Sequence, residues 1–301
     1  MNPPVPQPSV ASVLAASKVP TLSLEFFPPK TLLGFGVLGS SIERMRSVRP
    51  DFTSCTYGAG GSRREHSFEA WELLARMGFS PVVAHLTCIG ASRADLEGQI
   101  HRIHEAGIRN IMCLRGDPPQ GEDSFRPHPD GLAHASDLLR LVKSLHPDIC
   151  CGVGGYPETH PESPSPEDDL RHLKEKVDAG ADFVTTQLFY ECDRFFRFRD
   201  ACRRAGIAAP ILPGLMPAVS HAQIFRSVQL SRATVPAALA DALQNAPDEA
   251  AARDVGIRWL VAQIDSLVAH GVPGIHLYIL NQANTVLHPL LADAIRRFRR
   301  T

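Results

Sequence analysis

Glu25 stands near the end of an alternating apolar run, Thr21-Leu22-Ser23-Leu24-Glu25-Phe26-Phe27, that Pro28-Pro29 closes. Successive side chains of a strand face opposite ways, so Leu22, Leu24 and Phe26 share one face and Ser23, Glu25 and Phe27 the other. A carboxyl group held among aromatic side chains is costly to ionise. Burial beside Phe26 and Phe27 is therefore expected to raise its pKa and make it a proton donor at neutral pH. Other groups able to do chemistry recur behind apolar runs. His85 lies within 82–88, and Arg115-Gly116-Asp117 sets two opposite charges around a glycine directly after 111–114. Tyr156 and His160 follow 150–153, and Gln187, whose amide both donates and accepts, closes 183–188. Each has a plainer reading. Glu25 can pair with Arg115, His85 can be a satisfied core histidine, Arg115 and Asp117 can be a surface ion pair, and the glycine-rich 56–61 can be only a tight turn. That loop matches no phosphate fingerprint. His101 and His104 lie three apart on a helical pattern with no partner ligands evident, so they read as a solvated face and no metal is assigned.

The elements that must position these groups are eight β-rich runs, at 22–27, 52–57, 82–88, 110–114, 150–153, 183–188, 211–215 and 275–280. Helical patterns lie between them. Residues 92–106 open with Ser92-x-x-Asp95 and place Leu96, Ile100 and Ile103 on one face, and Gly107 follows. Ser165 caps the next clear helix, with Pro166 in its first turn and Gly180 at its end; 192–205 and 248–270 stop at Gly206 and Gly271. Strands alternating with helices imply parallel pairing, and eight such units fit a closed (β/α)8 TIM barrel. An open doubly wound sheet is disfavoured because no Gly-x-Gly-x-x-Gly opens a helix. In a barrel, functional groups belong where strands end, and there Glu25, Thr56, His85, Arg115, Tyr156 and Gln187 fall.

The chain has 301 residues, which allows either ~2 domains or one barrel of about 250 residues. The reading is a single barrel domain over 21–301 behind a flexible N-terminal arm, 1–20. With 31 basic and 32 acidic residues, the net charge of −1 gives no reason to expect nucleic acid or an anionic membrane as partner. No stretch is apolar for long enough to span a bilayer, and 1–20 lacks the charged start and apolar core of a secretory signal. Seven cysteines, several inside apolar strands and none in a Cys-x-x-Cys pair, suggest buried free thiols and a cytoplasmic protein. A homo-oligomer is expected.

Taken in order, Leu24-Glu25-Phe26-Phe27-Pro28-Pro29-Lys30-Thr31, Thr56-Tyr57-Gly58-Ala59, His85-Leu86-Thr87-Cys88, Leu114-Arg115-Gly116-Asp117, Tyr156-Pro157-Glu158-Thr159-His160-Pro161-Glu162, Thr186-Gln187-Leu188-Phe189 and Leu277-Tyr278-Ile279-Leu280-Asn281 make the chain resemble the methylenetetrahydrofolate reductases of the bacterial flavoprotein type, from about residue 19 onward. The resemblance implies a (β/α)8 barrel that binds FAD without a Rossmann motif. It implies flavin contacts at Thr56, His85, Leu114, Arg115, Gly116, Asp117, Ala135, Tyr156, His160, Asp169, His172 and Lys176, with histidine at 172 where the family has asparagine. It implies Glu25 as the acid, with Gln187 and Asp117 holding the pterin. The activity implied is ping-pong reduction of 5,10-methylenetetrahydrofolate to 5-methyltetrahydrofolate by NADH or NADPH, in one-carbon metabolism and methionine synthesis. Asp117 beside the ring would lower the flavin's potential. Two departures concern the folate pocket: Gln282 replaces an arginine, and Leu243 replaces an aromatic that stacks on the bound partner. They leave open a flavin-binding barrel with altered substrate or lost folate reduction. A flavin-free, pterin-dependent methyltransferase-like barrel is the further alternative.

Overall fold

A computed structural model describes the backbone of residues 5–57, 61–116 and 126–300. In chain order the elements are α1 (Val10–Ala16), β1 (Thr21–Phe26), α2 (Leu32–Arg44), β2 (Phe52–Cys55), α3 (Gly61–Arg76), β3 (Val82–Thr87), α4 (Arg93–Glu105), β4 (Asn110–Leu114), α5 (Ala135–Leu145), β5 (Cys150–Gly155), α6 (Pro166–Asp178), β6 (Phe183–Thr186), α7 (Cys192–Arg204), β7 (Ile211–Leu212), β8 (Gly214–Leu215), α8 (His221–Ser231), α9 (Ala237–Gln244), α10 (Glu249–Ala269), β9 (Gly274–Tyr278), α11 (Ala283–Val286) and α12 (Pro289–Phe298). All the described strand pairs are parallel, in the order β7-β6-β5-β4-β3-β2-β1-β9-β8.

Closure follows from one strand shared by both ends of that order. β7 pairs with β6 and β8 pairs with β9, yet only Pro213 separates β7 from β8. Proline has no N–H to give a ladder, but its carbonyl still accepts from His276 N at 3.0 Å. The run 211–215 is thus the seventh stave and β9 the eighth, and the sheet closes into the (β/α)8 barrel expected from the sequence.

The helices start and stop where the residues predict. Ser92 and Asp95 form a reciprocal capping box on α4, and Ser165 caps α6 with Pro166 in the first turn. Gly107 and Gly180 follow their helices with φ of 77° and 107°, a conformation that costs glycine little.

Two apolar layers hold the barrel. Leu22, Leu24 and Phe26 of β1 belong to the large core between strands and helices. Residues of the opposite parity, Phe52, Val83, Met112, Cys150, Phe183 and Leu212, fill the lower interior together with Val10. That contact corrects the expectation of a flexible arm. Asn110 Oδ1 accepts from Val10 N at 2.7 Å, Asn110 Nδ2 donates to Pro8 O at 3.0 Å, and Gln7 Oε1 accepts from Val82 N at 2.7 Å. Ser9 caps α1. The segment from Val5 to Pro20 is therefore part of the barrel, its helix sealing the N-terminal end of the strands. The sequence hid this because seven helical residues are too few to show a clear period.

Candidate active site

Polar residues of the inward parity replace apolar ones toward the strand C-termini. Ser23 and Glu25 come from β1, Ser54 from β2, His85 from β3, Thr185 from β6, and His276 and Tyr278 from β9. Glu25 Oε2 lies 3.3 Å from His85 Nε2 and 3.4 Å from His276 Nε2, and it accepts from Ser54 Oγ at 3.1 Å. Ser23 Oγ meets His276 Nδ1 at 2.8 Å. The register makes this arrangement, since Ser23 pairs with His276 across β1–β9 and Glu25 pairs with Ser54 across β1–β2. Both imidazole Nε2 atoms are buried without a well-aligned hydrogen bond. They stand at ion-pairing distance from the Glu25 carboxylate.

The electrostatics correct one expectation. Burial does push the Glu25 pKa up, but the His85 and His276 imidazoles and the Ser54 hydroxyl together outweigh it and hold the carboxyl below its usual value. The aromatic rings are not the cause. Phe26 points to the outer core, edge-on to Phe79 at 6.1 Å, and Phe27 lies beyond the strand and is 40% exposed. Burial dominates at His85 and lowers its pKa despite the Glu25 charge. Tyr278, pushed well above its normal range by burial, packs edge-on to His276 at 4.8 Å and donates to Thr186 O at 2.7 Å.

Cations line the wall beyond β4 and β5. Arg115 grips the Glu162 carboxylate in a fork, at 2.5 and 2.7 Å. Lys176, on α6, donates to Gly154 O at 2.8 Å, and burial lowers its pKa to about 8 even though Asp169 opposes the shift. His160, whose pKa burial and Arg115 lower, lies edge-on to Tyr156 at 4.6 Å, and its backbone N–H donates to Asp169 Oδ2 at 3.0 Å. Arg115, Tyr156, His160, Asp169 and Lys176 thus converge on one wall. Gly116 bridges into it at φ 91°, where a Cβ would strike Ile89 Cγ2 at 2.5 Å. At Gly154 an added Cβ would meet only Tyr156, at 4.0 Å, so this stretch of wall is smooth and open.

Other expected residues fare differently. Thr56, Leu114 and Ala135 sit at the ends of β2 and β4 and the start of α5, on the mouth side of the barrel. Gln187 turns its amide oxygen back onto Leu188 N at 2.9 Å. His172 is half exposed, and its ring meets Glu175 at 3.3 Å rather than the wall cations. Gln282 accepts from Thr285 Oγ1 at 3.3 Å and lines a cavity of about 300 Å³ with Arg44, Arg253 and Asn284. Leu243 is buried in a satellite core with Leu188, Tyr190 and Leu239, against which Met216 and Tyr278 pack. Asp117 lies outside the described residues.

Sequence reasoning missed His276, Ser23, Ser54 and Glu162. The signal existed for the first: in Ile275-His276-Leu277-Tyr278 the polar residues share one parity. It also missed what holds the exit of β1. Asn281 takes Phe27 N at 3.0 Å and gives to Phe27 O at 2.9 Å, while Leu280 and Asn281 both adopt left-handed backbone, φ 49° and 59°. Strained residues of this kind persist where surrounding contacts over-determine them, and here they fix the loop beside Glu25.

A closed parallel barrel with a carboxylate between two imidazoles at its C-terminal mouth, and cations along one wall, defines a class: a barrel suited to proton transfer on an anionic ligand. The chain belongs to the methylenetetrahydrofolate reductase family, whose family model matches residues 10–291. It is 36% identical over 263 residues to the 5,10-methylenetetrahydrofolate reductase of Escherichia coli, covering 87% of this chain and 86% of that one. It is 37% identical over 270 residues to methylenetetrahydrofolate reductase (NADH) 1 of Arabidopsis thaliana, covering 86% and 46% respectively. The chain thus spans about half the length of the plant and yeast relatives it matches. A Clostridium thermocellum protein, described as binding two copies of 5-methyl-5,6,7,8-tetrahydrofolic acid, shares the fold with a TM-score of 0.66 at 15% identity, with 96% of each chain covered.

Proposed function

We propose that this chain reduces 5,10-methylenetetrahydrofolate to 5-methyltetrahydrofolate, with bound FAD and NADH as reductant, in a ping-pong cycle. The observation that carries the reading is Glu25 clasped by His85 and His276 at the floor of a mouth whose wall bears Arg115 and Lys176. Family membership and the relatives named for NADH support the substrate and the reductant.

The residues fit FAD. The Glu162 carboxylate already stands as an anion in the Arg115 fork, the geometry that guanidinium also offers a phosphate. Lys176 is a buried amine that an anion would recharge. Thr56, His85, Leu114, Gly116, Ala135, Tyr156, His160 and Asp169 would complete its surroundings, and Asp117 would adjoin its ring. When bound, FAD would supply the hydride chemistry.

The chain's own part is the proton. Opening the imidazolidine ring of the substrate breaks the N10–methylene bond. The bond electrons stay on N10, which takes a proton, and the methylene carbon becomes an iminium on N5 that accepts hydride to become the methyl group. Glu25 delivers the N10 proton. The imidazoles hold the Glu25 pKa down in the free protein, so the carboxylate must take up a proton before it can donate one, and a ligand closing the mouth would favour the neutral form by excluding the remaining water. His276, backed by Ser23, and His85 position the carboxyl group for that transfer. A positioned acid of this kind contributes on the order of 10²–10⁴-fold. Gln187 would swing to the pterin edge, and the Gln282 cavity would take the far end of the substrate. A cytoplasmic homo-oligomer is the proposed working form.

Purification and assay test the reading. A yellow protein that oxidises NADH with a methylenetetrahydrofolate acceptor is expected. A yellow protein inactive with folate would leave only the flavin-binding part, and a colourless one that takes up no FAD would overturn the whole.

A further inference from the structure

The two histidines that the sequence left without partners acquire them in three dimensions. His101 and His104 lie on the last turns of α4; His146 caps α5, and Asp148 sits in the turn that leads into β5. Helix C-termini in a (β/α)8 barrel point to the face opposite the mouth, so this cluster is separate from Glu25. His104 Nε2 lies 3.1 Å from Asp148 Oδ2, and His101 Nδ1 lies 2.9 Å from His146 Nε2. The His104 and His146 rings face each other with centroids 3.9 Å apart. One ligand atom from each of His104, His146 and Asp148 falls within 4.8 Å of the others.

We propose that His104, His146 and Asp148 bind a divalent transition-metal cation, with His101 as the positioning residue that orients His146. Two imidazoles and a carboxylate are the donor set of a borderline cation such as Zn²⁺, Co²⁺ or Ni²⁺. Tetrahedral bonds of about 2.0–2.2 Å need donors closer than the observed limit, and part-exposed side chains reach that by rotating. An oriented second nitrogen on a ligating histidine typically adds 10–100-fold in affinity. Arg109 opposes the cation, since its Nε lies 3.0 Å from Asp148 Oδ2 while its Nη1 anchors to His104 O at 2.7 Å. The bound ion would tie the end of α4 to the start of β5, a link of structural rather than catalytic character. The inference stands independently of the folate reading.

The test is calorimetric titration of the full, untagged chain with Zn²⁺, repeated with Co²⁺ while its visible absorption is followed. One saturable equivalent per chain is expected, with a nitrogen- and oxygen-ligated Co²⁺ spectrum. The double variant His104→Ala/His146→Ala should lose it, His101→Ala should weaken it by about tenfold, and Arg109→Gln should tighten it. Glu25→Gln should leave it intact, which separates this site from Glu25, His85 and His276. Absence of a saturable site, survival of the site in the double variant, or a thiolate charge-transfer band would overturn the proposal. Circular dichroism of the double variant confirms that any loss is not unfolding.

Discussion

His276 sits directly across the β1–β9 ladder from Ser23, with its Nδ1 2.8 Å from that hydroxyl and its Nε2 3.4 Å from the Glu25 carboxylate two residues further along the same strand. One imidazole thus joins a hydroxyl to an acid through sheet register alone. Glu25→Gln keeps shape but loses the proton. It should retain flavin and its reduction by NADH while slowing folate reduction on the order of 10²–10⁴-fold. Stopped-flow measurement of the two half-reactions checks this, and normal folate reduction would remove Glu25 as the acid.

His276→Asn takes away a partner that holds Glu25 ionised, so the carboxyl pKa should rise in the free protein. The folate half-reaction should then keep its acid form to higher pH, with its pH profile displaced upward. An unmoved profile would show that His276 does not act on Glu25.

Glu162 occupies the fork of Arg115 that the phosphate of FAD would use. Glu162→Gln removes the competing charge while preserving size, and FAD should bind the apoprotein severalfold more tightly, read by fluorescence quenching. Weaker binding would mean that Glu162 positions Arg115 rather than competing for it.

Lys176 has a pKa of about 8 because it is buried, against 10.5 for the ordinary amine. The folded protein therefore favours the neutral amine, and this burden on stability is present in full below pH 8 and relieved as pH rises toward 10.5. Anion binding needs the charged form, so FAD affinity should fall as pH rises through 8. Lys176→Met should bind FAD more weakly at neutral pH and flatten that dependence.

Asn110 uses both ends of its amide to hold Pro8 and Val10. Asn110→Ala should cost about 1–3 kcal/mol, the range for a buried hydrogen-bonding group left unmatched, and should expose residues 5–20 to protease. The midpoint of urea unfolding and the position of the first cut measure both effects.

Strand and helix order was legible because alternation, caps and glycine stops act within a few residues. The Ser92–Asp95 box, Pro166 and Gly180 each did locally what their chemistry dictates. Glu25, His85, Arg115, Tyr156, His160 and Lys176 were legible as candidates because strand ends in a barrel share one face.

Type and order of residues, then, determined by themselves the barrel, the strand ends that carry chemistry, and the resemblance that names their use. Only the tertiary structure decided that the Glu25 pKa is held down rather than raised, that His276 and Ser54 are its neighbours, that Glu162 fills the arginine fork, and that α1 seals the base. The reason is range. Turn and strand preferences are set by neighbours in sequence, but a charge state is set by whatever lies within a few ångströms. For Glu25 that includes His276, 251 residues along the chain, brought there by closure of the sheet.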